Sequence, residues 1–273
     1  MSTPEDPLET TLDDAWDALA EGRSEELLVL LAAVEGEAAE RVDLAGEITH
    51  LTVEARLGLF DLAGAKRALL SSRAPADDPS LLQARGELAL ASWDFDAART
   101  IFAALAASAP TENALISAHE RLALVADLAG DQARADGHLF TARGFAPTRL
   151  TPAAFEAEVA TAAAELPPAF RAIFERVPVI IDPVPDRELA LGSGRDPLET
   201  PPDLLGLFLG YADTEAGSEG GGMPAHIRIF QRNLERMAED PAHLREEIAK
   251  TLYHELGHVL GHDEDGVDAL GLR

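Results

Sequence analysis

Three residues at helical spacing, His254, Glu255 and His258, carry the most specific chemistry in this chain. They stand in the run His254-Glu255-Leu256-Gly257-His258-Val259-Leu260-Gly261, an H-E-x-x-H-x-x-G pattern. On an α-helix, residues four apart share one face and lie about 6 Å apart along the axis. His254 and His258 can therefore offer two imidazoles to one divalent metal ion. Glu255, beside the first histidine, supplies a carboxylate that can take a proton from a metal-activated water. The three fixed residues arise by chance in roughly one chain in a hundred of this length, and the following glycine makes coincidence rarer. The bland alternative is a helix that happens to carry two surface histidines.

The rest of the composition narrows what such a site can be. The chain has 273 residues, 47% of them hydrophobic, which suits a globular protein of two units. With no cysteine, disulfides, thiolate catalysis and cysteine-held zinc drop out together. A transition metal must then be held by histidine and carboxylate. Those donors suit one Zn²⁺ per chain and also admit Mn²⁺, Fe²⁺ or Co²⁺. A formal net charge of -27 makes nucleic acid and anionic membrane surfaces poor partners. Basic peptides or cations are electrostatically easier, although the acidity also serves solubility alone. The segment Met1 to Asp17 is acidic, without the apolar centre of a secretory signal, and no apolar run reaches the ~18 residues needed to span a bilayer. A cytoplasmic location is the expectation.

Two stretches of different patterning must position the motif. Residues 1–147 read as an α-helical repeat region, with apolar residues at helical spacing such as Leu115, Leu122, Val125 and Leu128, and prolines between segments at Pro75, Pro79, Pro110 and Pro147. A weak internal repeat runs through 57–65, 90–98 and 127–135. Each copy has a turn, then an aspartate (Asp61, Asp94, Asp131), then alanine four residues on (Ala65, Ala98, Ala135), then a large apolar residue (Leu69, Phe102, Leu139). A degenerate first copy turns at Gly22. The spacing resembles tetratricopeptide repeats, with a generic array of helical hairpins as the alternative; either stacks into a solenoid able to hold a protein partner.

Residues 148–273 read as a small α+β domain. Thr151-Pro152 starts a helix that runs to about Glu165, before Pro167-Pro168. Val177 to Asp182 reads as a buried strand and Leu204 to Leu209 as a second. Asp182 to Pro202 and Thr214 to Pro224 read as loops. Ala225 to Phe230 alternates, Ile227 and Ile229 on one face, His226 and Arg228 on the other, as in a half-buried strand. On the edge of a sheet it could pair with an extended peptide, and His226 and Arg228 could stabilise an oxyanion. Asp240-Pro241 opens the motif helix, which ends at Gly261.

From about Thr151 to Leu272 the chain resembles the minimal zincin-like metallopeptidase family of bacteria, with the pattern HExxHxxGxx[DE]. Ordered blocks carry the resemblance: Phe155-Glu156 to Phe170, Val177-Pro178-Val179-Ile180-Ile181, Leu204 to Gly210, Pro224 to Phe230, Leu244 to Ile248, and His254 to Glu264. The resemblance implies a compact α+β zincin with a small sheet packed on the motif helix; it implies no known substrate, and a peptide or protein substrate is inferred from the motif.

A catalytic zinc needs a third protein ligand. His262 shares the helix face, but in a continuous helix it lies about 12 Å along the axis from His254. Gly261 can take the left-handed conformation that ends a helix and turns the chain back. The residue three beyond it, Glu264, then becomes the candidate, with Asp263 and Asp265 as alternatives; it holds the place of the third histidine in metzincins, where the resembling family has an acidic residue. These acids also read as a solvated tail. The expected function is zinc-dependent peptide hydrolysis with Glu255 as general base, the helical repeats recruiting substrate. The alternative is a non-catalytic interaction module with a structural or vestigial metal site.

Overall fold

The computed structural model describes residues 7–38, 40–192, 196–210 and 225–262. Its helices and strands run α1 (Pro7–Ala20), α2 (Ser24–Ala33), α3 (Glu35–Ala38), α4 (Ala45–Gly58), α5 (Leu62–Ser71), α6 (Pro79–Ala91), α7 (Phe95–Ser108), α8 (Glu112–Leu128) and α9 (Gln132–Arg143). They continue with α10 (Pro152–Glu165), α11 (Pro168–Phe174), β1 (Val179–Asp182), α12 (Arg187–Leu191), β2 (Gly206–Leu209), β3 (His226–Phe230), α13 (Gln231–Met237) and α14 (Pro241–Val259). Met1–Gly144 and Asp186–Pro202 form one compact unit; Phe145–Pro185 and Asp203–Arg273 form the other. No described helix is long and apolar enough to cross a membrane.

The first unit is built from helical hairpins closed by one recurring turn. Gly22, Phe60, Trp93 and Gly130 each follow a helix with φ between 57° and 75°. The next N–H returns to a carbonyl five residues back: Arg23 to Ala18, Asp61 to Arg56, Asp94 to Ala89 and Asp131 to Ala126, at 2.8–2.9 Å. This is the left-handed closure that satisfies orphan carbonyls at a helix end. In the last three turns that residue is also the N-cap of the following helix, its carboxylate accepting from the N–H of Gly64, Ala97 or Arg134. One aspartate thus closes one helix with its N–H and opens the next with its side chain, which is why aspartate recurs at 61, 94 and 131. Arg23 in the first turn makes no such side-chain cap.

Ala65, Ala98 and Ala135 are fully buried, so the small side chain lets neighbouring helices approach. Phe102 and Leu139 are buried as well, whereas Leu69 is half-buried. Gly86 makes room for the Phe102 ring; a Cβ there would lie 2.4 Å from it. The left-handed backbone at Trp93 costs about 1–2 kcal/mol, offset by burial of the indole, whose Nε1–H donates to the Thr200 carbonyl at 3.2 Å. Glu87 is a buried carboxylate of this unit, paired with a partly exposed arginine. Glu87 of α6 accepts from Arg121 Nε of α8 at 2.7 Å and from Gln83 Nε2 at 2.6 Å. Burial pushes its carboxyl above the usual range, and Arg121 pulls against that shift.

In the second unit, Thr151 caps α10 and the helix ends at Leu166, ahead of Pro167. Asp240 caps α14 through the N–H groups of Ala242 and His243. Three strands form a sheet in the order β1-β3-β2, β1 parallel and β2 antiparallel to β3. The register pairs Arg228 with Ile180 on one side and with Leu207 on the other. The 225–230 strand is therefore the centre of the sheet, with no free edge for a peptide, contrary to the sequence expectation. Alternation places a strand's faces but not its neighbours. β1 is likewise an edge rather than a buried strand, with Ile180 40% exposed. The predicted loop 182–202 contains α12 and a 3-10 turn at Pro197–Glu199, and α13 follows β3 directly. The 214–224 loop predicted from glycine content lies outside the described residues.

Leu244, Ile248, Leu252, Leu256 and Val259 make the buried stripe of α14, packed with Phe155, Val159 and Ala162 of α10 and with Ile227 and Ile229 of β3. Glu235 of α13, also fully buried, accepts from the Leu150 N–H, Gln231 Nε2 and Arg232, and faces Arg149 at 3.3 Å. That network fastens the segment before α10 to α13.

Candidate metal centre on the last helix

His254 and His258 are half-buried and meet at their Nε2 atoms, 3.1 Å apart, with ring centroids 4.8 Å apart and planes nearly perpendicular. Just beyond them the helix stops as its glycine suggests. Gly261 has φ 87°, and the His262 N–H returns to the Gly257 carbonyl at 3.2 Å. The turn brings the His262 carbonyl to 3.0 Å from His258 Nδ1. A carbonyl only accepts, so Nδ1 donates to it, and Nε2 is the nitrogen turned toward His254. A backbone carbonyl on the far nitrogen is the usual support of a metal-binding histidine.

The two imidazoles suit a zinc ion as two of its ligands. Two Zn–N bonds of about 2.0–2.1 Å at a tetrahedral angle place their nitrogens about 3.3 Å apart, close to the separation seen. Among the described residues no cluster of three metal-donor side chains forms. Glu264, Asp263 and Asp265, the candidates for a third ligand, lie outside the described residues.

Glu255 is buried, and its position follows from helix arithmetic. At 100° per residue it falls about 20° from Leu244, inside the apolar stripe rather than on the histidine side. A carboxylate there needs a special cover, and Gly206 of β2 supplies part of it. A Cβ on Gly206 would lie 2.9 Å from Glu255 Oε1, 3.0 Å from its Cγ and 2.6 Å from Thr251 Cγ2. Gly206 escaped the sequence reading as a site residue, although a lone glycine inside a strand pattern is the mark of close approach. Tyr253 packs on Phe170, ring centroids 4.0 Å apart.

His226 and Arg228 lie on β3 as expected. Because Ile227 and Ile229 face the core shared with α14, alternation turns His226 and Arg228 to the other face of the sheet. There Arg228 lies 3.4 Å from Asp182 of β1. Residues 174–272 match the family model of zincin-like metallopeptidases. No curated protein matches the chain.

Proposed function

We propose that this chain is a zinc-dependent peptide hydrolase in which His254, His258 and Glu264 hold the metal. The convergence of the two Nε2 atoms, with His258 Nδ1 tied to the His262 carbonyl, carries the reading. Zinc bound there would supply Lewis acidity to a peptide carbonyl and lower the pKa of water toward neutrality. Glu255 takes the proton of the attacking water on its carboxylate and delivers it to the leaving amide nitrogen. Its burial excludes bulk water from that transfer. Among the described residues β1 and β2 are the outer strands of the sheet, and β2, beside Glu255 through Gly206, is the one suited to align an extended peptide.

Metal content of the purified chain, measured by mass spectrometry beside His258→Ala, tests the centre. About one zinc per wild-type chain, lost in the variant, is the expected result. Absence of metal in both after zinc is supplied would sink the reading. Gly206→Ala tests the cover of Glu255: the added methyl must displace the carboxylate or β2, and a displacement near 1 Å lowers kcat by up to about 100-fold. Unchanged kcat would separate Gly206 from the chemistry.

The helical unit, in this reading, is a tetratricopeptide-like solenoid that recruits a partner polypeptide. A groove of about 440 Å³ between α2, α4 and α5, lined by Leu28, Leu31, Ile48, Thr52, Arg56 and Ser72, supports it. The same groove favours a second reading, an interaction module without catalysis. A partner retained equally by the His258→Ala chain, together with no hydrolysis by wild type, would select that second reading.

A further inference from the structure

His119 of α8 and His138 of α9 face each other across the last hairpin of the helical unit, Nδ1 to Nδ1 at 3.0 Å, with ring centroids 5.1 Å apart. Both rings are half-buried. Among the described residues each has only the other as a hydrogen-bond partner. Burial holds both imidazoles below their ordinary range, and for His138 the approach of His119 and of Arg134 adds to it.

The hairpin frames this pair. Its turn is closed at Gly130 and capped by Asp131, and Ala123, Ala126, Ala135 and Leu139 pack between the helices. Two nitrogens bound to one ion at about 2.0–2.1 Å lie about 2.9 Å apart when the bonds meet at a right angle, and about 3.3 Å apart at the tetrahedral angle. The observed separation lies between the two and suits one ion held by both imidazoles, with Cu²⁺ favoured by its intrinsic affinity for nitrogen donors.

We propose that His119 and His138 form a two-histidine clip for a divalent transition-metal ion, with Cu²⁺ bound most tightly and solvent completing the coordination. The bound ion fastens α8 to α9 and so stabilises the end of the helical unit by mass action. The site is independent of the motif helix.

The test uses the full chain carrying His254→Ala and His258→Ala, which silences the motif pair, titrated with Cu²⁺ and separately with Zn²⁺. Calorimetry should give one ion per chain, with Cu²⁺ tighter than Zn²⁺. Electron paramagnetic resonance of the Cu²⁺ form should show coupling to two imidazole nitrogens. Adding His138→Gln should raise the Kd at least about tenfold. Binding unchanged by His138→Gln, or a Cu²⁺ spectrum without nitrogen coupling, would overturn the proposal and leave the pair a plain hydrogen bond. If His138→Gln does not fold by circular dichroism, His119→Asn replaces it, and the spectrum of the parent chain decides independently.

Discussion

Replacing Glu255 with glutamine is expected to lower kcat for peptide hydrolysis by roughly 10²–10⁴-fold, the usual contribution of a positioned general base. Glutamine matches glutamate in shape, so the packing beneath Gly206 and the stripe of α14 stay intact. The amide cannot accept the proton of an attacking water. His254 and His258 are untouched, so metal content should remain that of wild type and KM should change little. The measurement is kcat and KM on a cleaved library peptide, with metal content on the same preparation. Hydrolysis at the wild-type rate would remove Glu255 from the mechanism. Loss of metal along with activity would make it a support of the site rather than its base.

Arg121→Met carries the largest expected effect on stability. The substitution leaves the buried Glu87 carboxylate with Gln83 as a partner but without its counter-charge. Breaking a buried pair from one side costs 3–5 kcal/mol, and Arg121 keeps part of its side chain in solvent, so about 3 kcal/mol is expected near pH 7.5. The pH dependence follows from the direction of the shift. Burial already raises the Glu87 carboxyl in the folded state, and removing Arg121 raises it further. The folded chain then holds a proton that the unfolded chain releases, so stability is lost as pH rises through that window and recovered on acidification. Urea denaturation at pH 7.5 and at pH 5.5 should therefore show a larger deficit at the higher pH. An equal deficit at both would assign the loss to packing of the arginine stem.

The motif helix was legible because its signals are local. Asp240-Pro241 caps its start, Gly261 ends it, and the stripe from Leu244 to Val259 gives its period. The recurring aspartates were legible for the same reason, since turn and cap fall within a few residues. What failed was pairing and length. β3 shows its alternation in sequence, but its central place depends on β1 and β2, each about 20 to 50 residues away in the chain. α12 and α13 span five and seven residues, too few for a helical period to emerge. Gly206 was visible as a residue, yet its role required knowing that β2 crosses Glu255. His119 and His138 carry no motif spacing at all; only the hairpin brings them together.

The division of the chain has a consequence for anyone who would take it apart. The polypeptide leaves the helical unit after Gly144, returns to it from Asp186 to Pro202, and leaves again at Asp203. It therefore passes between the units three times, and the excursion falls between β1 and β3, which pair in parallel. A single cut at residue 144 yields fragments that are not the two units: one lacks the backbone that receives the Trp93 indole proton, and the other carries that stretch without its indole. Clean dissection requires two further breaks and a new join from Pro185 to Asp203. Until that is done, a protease nick in any one connection leaves two fragments that share a unit and are held only by packing inside it, and truncation at 144 removes part of the helical unit along with the other half.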